Sequence, residues 1–256
     1  MRNSLSSALS SYREFRAAKA RNKPYKIVRG VLLLLTGAFV LLLSFPQLLF
    51  AHQTTYKNFH VYSRAPLDQN INTVLDKVEA RLATSSIKDD NVRPRVFLTN
   101  SYGLYRGLSL NIGWNSFGKG YALLPTSNVF INKADLASDT VFREAPTNNA
   151  RSLSGVIAHE VTHLLIRNRY GYWRNVMMPA WKKEGYAEYV GGGTTLSYEE
   201  GVKMWKSNPK DGTGYQYFKY YTLVKYLLEQ DKLSVDDLFN REFDVAALEE
   251  KVLKTL

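Results

Sequence analysis

Ala158-His159-Glu160-Val161-Thr162-His163-Leu164-Leu165-Ile166 is the stretch on which the reading of this chain turns. It carries the pattern H-E-x-x-H within an apolar run. Helical residues four apart share a face, with Cβ atoms about 5–6 Å apart. A helix here would let His159 and His163 aim two imidazoles at one cation, with Glu160 on the adjoining face. That arrangement can hold Zn²⁺ and keep a carboxylate close to its bound water. Leu153, Val156, Ile157, Leu164 and Leu165 form an apolar stripe, and Gly171 is the predicted C-terminal stop. Such a pentad also arises by chance, and two histidines on a buried helix face would look the same. A third ligand has to decide.

Histidine does not supply it. An H-E-x-x-H-x-x-G-x-x-H completion would need Gly at Ile166 and His at Arg169, and the other two histidines, His52 and His60, lie far upstream. A carboxylate must complete the set, and Trp181-Lys182-Lys183-Glu184-Gly185-Tyr186-Ala187-Glu188-Tyr189 offers Glu184, with Glu188 one turn later. HEVTH followed by WKKEGYAEY resembles the gluzincins, zinc peptidases typified by thermolysin and the large aminopeptidases. Their second motif is often written W-x-x-E-G-x-A-x-Y. Twenty residues separate His163 from Glu184, close to the family's usual separation.

The resemblance implies Zn²⁺ on His159, His163 and Glu184, and hydrolysis of polypeptide by a zinc-activated water with Glu160 as general base. It implies an α+β fold: a small zincin-like domain with a mixed sheet packed on the active-site helix and a helical C-terminal part. In the small members a C-terminal helix begins with a tyrosine followed by V-x-Y-L, which makes Tyr217 the implied oxyanion donor, although tyrosines at such spacing also serve as core contacts. The aminopeptidase branch carries an acid in a G-x-M-E-N edge strand, whereas GYALLPTSN has none. That departure points to an endopeptidase. Glu188 is placed to accept the remaining N–H of a zinc histidine, His159 first, or else belongs to a solvated acidic face.

The net charge of +11 does not imply nucleic-acid binding, because residues 1–29 hold eight basic residues against Glu14 alone. No cysteine is present, so disulfides and thiolate ligands are excluded. Residues 31–51, VLLLLTGAFVLLLSFPQLLFA, lie in a stretch without charge between Arg29 and Lys57. About 20 helical residues cross a hydrocarbon core, so this reads as an uncleaved anchor contacting lipid, with Pro46 kinking or ending it, ahead of the alternative of a secretory signal cleaved at Ala51. Lysine and arginine ahead of the span predict a cytoplasmic N-terminus and a body on the non-cytoplasmic side, periplasmic in a bacterium. The division is thus 1–29 basic tail, 30–51 transmembrane anchor and 52–256 metallopeptidase domain. Leu5, Leu9, Tyr12 and Phe15 recur at helical spacing among Arg13, Arg16 and Lys19. The tail therefore reads as an amphipathic helix on an anionic leaflet, a presequence-like segment, or a disordered positive tail.

Within the body, 56–62 reads as a strand, Leu67 to Leu82 as an amphipathic helix, and 94–98 as a strand. Residues 118–132 read as a hairpin turning at 125–128, with 129–132 as the edge strand that an extended substrate would join. Phe142, Arg143 and the polar loop 146–149 precede the metal helix and are placed to cap it. Residues 191–193 end the glutamate helix, 198–206 and 215–229 read as helices, and an amphipathic helix closes the chain. Two other readings stay open: a catalytically silent gluzincin-like binding or chaperone module at the membrane, and hydrolysis of a non-peptide amide.

Overall fold

The computed structural model describes residues 9–17, 23–110, 116–120, 126–207 and 213–256, and the chain divides into two compact units, Met1–Leu48 and Leu49–Leu256. In the first unit residues 9–17 form helix α1, with Leu9, Tyr12 and Phe15 exposed; Leu5 and Lys19 lie outside the described residues. Helix α2 (Lys23–Ser44) starts earlier and stops sooner than the 30–51 span read from the sequence. Its 22 residues extend about 33 Å, long and apolar enough to cross a membrane. Pro46 accounts for the stop, since proline disfavours helical backbone at the residue before it; Pro46–Leu49 form a 3₁₀ turn.

The second unit opens with a hairpin, β1 (His52–Tyr56) and β2 (Phe59–Ser63), where the pattern had suggested one strand over 56–62. The chain reverses at Lys57, whose φ of 51° is a backbone state that periodicity does not report. β2 pairs in parallel with β3 (Arg95–Leu98), and β3 in parallel with β5 (Asn128–Ile131). β5 pairs antiparallel with β4 (Gly118–Gly120), giving the mixed order β1-β2-β3-β5-β4. Parallel neighbours require crossovers. Helix α3 (Asn70–Leu82) supplies the first and buries Ile71, Val74, Leu75, Val78 and Leu82, the predicted stripe with Leu75 added and without Leu67, which precedes the helix and is partly buried. Helix α4 (Tyr102–Ser109), its first turn capped by the Ser101 hydroxyl, lies in the second.

This order corrects the expected edge. All four residues of β5 are buried between β3 and β4, so the free edge is β4 and not 129–132. β4 and β5 pair antiparallel as a hairpin requires, but Asn128, read as part of the turn, belongs to β5, and residues 121–125 of the connection lie outside the described residues. A second, antiparallel sheet of β6 (Lys133–Asp135), β7 (Thr140–Phe142) and β8 (Ala150–Ser152) has no counterpart in the sequence reading. Three-residue strands offer too few alternations to register.

β8 leads directly into α5 (Leu153–Tyr170), the helix of the pentad. Its cap is not Phe142, Arg143 or the 146–149 loop. The Ser152 hydroxyl accepts from Gly155 N at 3.1 Å, and Asp139 Oδ1 accepts from Ser154 N at 2.8 Å. Gly171, with φ 86°, ends the helix as expected. A short α6 (Tyr172–Met177) turns the chain into α7 (Ala180–Gly191), which Gly192 closes in the left-handed region. α8 (Tyr198–Ser207), α9 (Thr213–Glu229), α10 (Val235–Asn240) and α11 (Val245–Leu253) complete the helical part. Helix α5 is buried almost all round because α3 and the sheet cover one flank and α7 the other. The fold is α+β, with a mixed sheet against a central helix.

Candidate metal centre

Two helices bring the candidate ligands together. Gly155 on α5 faces Gly191 on α7, and a Cβ on Gly155 would lie 2.8 Å from the Gly191 carbonyl oxygen. Only hydrogen at both positions permits that approach. One turn further along α5, His159 points its Nε2 towards α7. Its Nε2 lies 3.2 Å from Nε2 of His163 and 3.4 Å from Oε2 of Glu184; His163 Nε2 is also 3.4 Å from that oxygen. A tetrahedral ion with bonds near 2.0–2.1 Å spaces its ligands about 3.3 Å apart. The three atoms fit one small divalent cation, with a fourth side open.

Electrostatics agree with that fit. Burial opposes charge on His159, but Glu188, Glu184 and Glu160 outweigh it and push its pKa up to about 10. Burial also opposes ionisation of Glu184, yet the two imidazoles hold its carboxyl well below the usual range. The cluster therefore carries a concentrated negative field that a proton satisfies when no cation does.

Around this triangle stand the other expected residues. Glu188 is fully buried, with Oε1 3.6 Å from His159 Nδ1. That nitrogen is buried without a hydrogen-bond partner, so a movement of a few tenths of an ångström would close the bond. Arg151 grips Glu188 from the other side, donating to Oε1 at 3.0 Å and to Oε2 at 2.6 Å, and also to the Gly193 carbonyl at 2.6 Å. Burial works against that charge, but Arg151 and His159 draw the Glu188 pKa down to about 2. The solvated acidic face considered for Glu188 is thereby excluded.

Glu160 lies on the adjoining face, and its Oε2 accepts from Gly120 N at 2.7 Å. Edge strand β4 thus meets α5 through the Glu160 side chain. Asn132 N donates to the Phe117 carbonyl, so the next ladder bonds fall at Lys119 opposite Phe130. Gly118 and Gly120 turn their backbone groups away from β5. The Gly118 carbonyl accepts from the Ser116 hydroxyl at 3.1 Å and the Gly120 N–H is taken by Glu160, which leaves the Gly118 N–H and the Gly120 carbonyl at the open edge. A Cβ on Gly118 would sit 2.8 Å from Val156 Cγ1, which is why the strand beside the helix needs glycine there. Tyr217, on α9, lines the same cleft of about 220 Å³, and its phenol has no hydrogen bond among the described residues. Burial, then Glu184, pushes its pKa well above the ordinary value, so the hydroxyl keeps its proton.

The sequence reading missed Arg151 and Gly120 and gave Arg143 only a capping role; all three line the cleft. No known family's model matches the chain, and comparison with curated proteins finds no match.

Proposed function

We propose that the chain is a membrane-anchored zinc metallopeptidase of gluzincin type, cutting polypeptide internally. One observation carries this reading: His159, His163 and Glu184 converge at 3.2–3.4 Å while Glu160 stands beside them in an open cleft. Two imidazoles and a carboxylate suit Zn²⁺, and three ligands leave a position for water. Bound there, zinc supplies Lewis acidity that brings a water's pKa near 7 and polarises a carbonyl. Glu160 Oε2 is engaged by Gly120, which leaves Oε1 to take the proton of the attacking water and hand it to the departing amine. β4 offers the Gly118 N–H and the Gly120 carbonyl to an extended peptide by strand addition. The protonated Tyr217 hydroxyl donates to the developing oxyanion, worth about 2.7–4 kcal/mol per donor in other enzymes. Glu188, clamped by Arg151, fixes the orientation of His159.

Helix α2 serves as the anchor, and the basic residues preceding it keep the N-terminus cytoplasmic and the body on the other side. The test is zinc content and hydrolysis of a quenched-fluorescent peptide library by the detergent-solubilised chain. Wild type is expected to hold one zinc and to cut peptides. Glu160→Gln keeps the zinc and loses about 10²–10⁴-fold in rate. Zinc bound without hydrolysis by wild type would make the chain a binding module instead.

A further inference from the structure

The cleft above the ligand triangle is lined by five cations, Lys119, Arg143, Arg151, Arg167 and Lys183, against the carboxylates of Glu160, Glu184 and Glu188. Those carboxylates are all engaged, by Gly120, by the two imidazoles and by Arg151. The cations are not neutralised to the same degree. Lys183 donates to the Asn175 carbonyl, a contact that leaves its charge in place.

Arg143 is the most distinctive of the five. Its backbone N–H bonds the Asn149 carbonyl and its Nε the Asn148 carbonyl, both at 2.9–3.0 Å. Its Cζ stands 4.9 Å from the centroid of Phe117, the residue just ahead of β4. The stem is thus tied at three points. Its terminal nitrogens have no hydrogen-bond acceptor and no carboxylate partner among the described residues. Burial, and then Arg151, lowers the Arg143 pKa, as for a cation partly withdrawn from water without a counter-ion. Arg151 lies on the same Phe117 ring at 5.8 Å but is already spent on Glu188.

The geometry points to Arg143 as the receptor for a carboxylate of the substrate, so that, given the peptidase reading, the enzyme selects polypeptide that presents a carboxylate to the cleft. A guanidinium fork held this way matches a carboxylate with two parallel hydrogen bonds. Its position beside Phe117 sets it at the start of the edge strand on which the peptide backbone would lie. The carboxylate is either an Asp or Glu side chain or the end of the peptide chain.

The experiment uses the full chain in detergent, zinc-loaded and carrying Glu160→Gln so that peptides stay intact. Fluorescein-labelled decapeptides of Ala, Ser and Gly with three Glu residues are compared with Gln counterparts, each with a free or amidated C-terminus. Binding is read by anisotropy. The Glu peptide is expected to bind at least about tenfold more tightly than its Gln counterpart. A preference that follows the free acid over the amide instead assigns the same receptor to the chain end. Arg143→Gln is expected to erase the preference with zinc content unchanged, and Arg143→Lys to retain part of it. Equal binding of all four peptides overturns the proposal even if Arg143→Gln fails to fold, and so does a preference that survives Arg143→Gln. The outcomes also separate the two readings. Wild type cutting Glu and Gln peptides equally keeps the peptidase and removes the acidic selectivity. Arg143-dependent binding without any cleavage keeps the receptor and removes the peptidase.

Discussion

Glu188 keeps its charge at 2% side-chain exposure because Arg151, itself 13% exposed, meets both of its oxygens. Removing one member of such a pair costs about 3–5 kcal/mol, since the other is left charged in the interior. Glu188→Gln is therefore expected to lower the stability of the metal-free chain by that order, measured by urea denaturation at pH 7. The pH dependence has a definite sign. The folded pKa is depressed from 4.5 to about 2, so the stabilisation is complete above pH 4.5 and disappears as pH falls through 2. It amounts to something on the order of 3 kcal/mol. Wild type should lose stability more steeply than Glu188→Gln between pH 4.5 and 2, and identical slopes would contradict the assignment. Neither Arg151 nor Gly120 is visible in the sequence as a site residue. Arg151 meets Glu188 across 37 positions and Gly120 meets Glu160 across 40, and no local pattern encodes such distances.

At the scale of elements, the site depends on how closely α7 is sandwiched. Gly155 and Gly191 bring α5 against it, and on the opposite side a Cβ on Gly185 would fall on the Tyr220 carbonyl of α9. Backbone cannot yield as a side-chain tip can. Gly185→Ala is expected to push α9 outward, costing about 1–3 kcal/mol in thermal unfolding and moving Tyr217 off the cleft, seen as lost turnover with zinc retained. Unchanged unfolding would mean the helices are less tightly packed than this. The helices themselves were legible because each carries its own signal: the pentad and WKKEGYAEY at helical spacing, Gly171 and Gly192 at their ends. Strand order was not. Asn128–Ile131 and Gly118–Gly120 pair as the sequence suggested, but which of them is the edge depends on β3, some thirty residues earlier in the chain. The apolar run Val129-Phe130-Ile131 was the one available clue, since strands covered on both faces lose polar alternation.

On the scale of the whole molecule, the candidate ligands lie on α5 and α7 in the second unit, so a cation held there would link the two helices. Whatever binds the folded state alone stabilises it by RT ln(1 + [L]/Kd), about 4 kcal/mol at a thousandfold excess over Kd. For a body of this size each kcal/mol moves the midpoint by about 2–4 °C, so full loading corresponds to roughly 8–16 °C. Calorimetry of the zinc-loaded chain before and after a strong chelator is expected to show that fall, and re-addition of zinc to reverse it. Glu184→Ala should unfold near the chelated midpoint with or without zinc, because two imidazoles alone leave the helices unlinked. Leu49–Leu256 contains the ligand triangle and a core of its own, so a chain beginning at Leu49 should show the same shift as the full-length protein. A chelator that leaves both midpoints unmoved would remove the cation from the architecture, and with it the reason for His159, His163 and Glu184 to share one point in space.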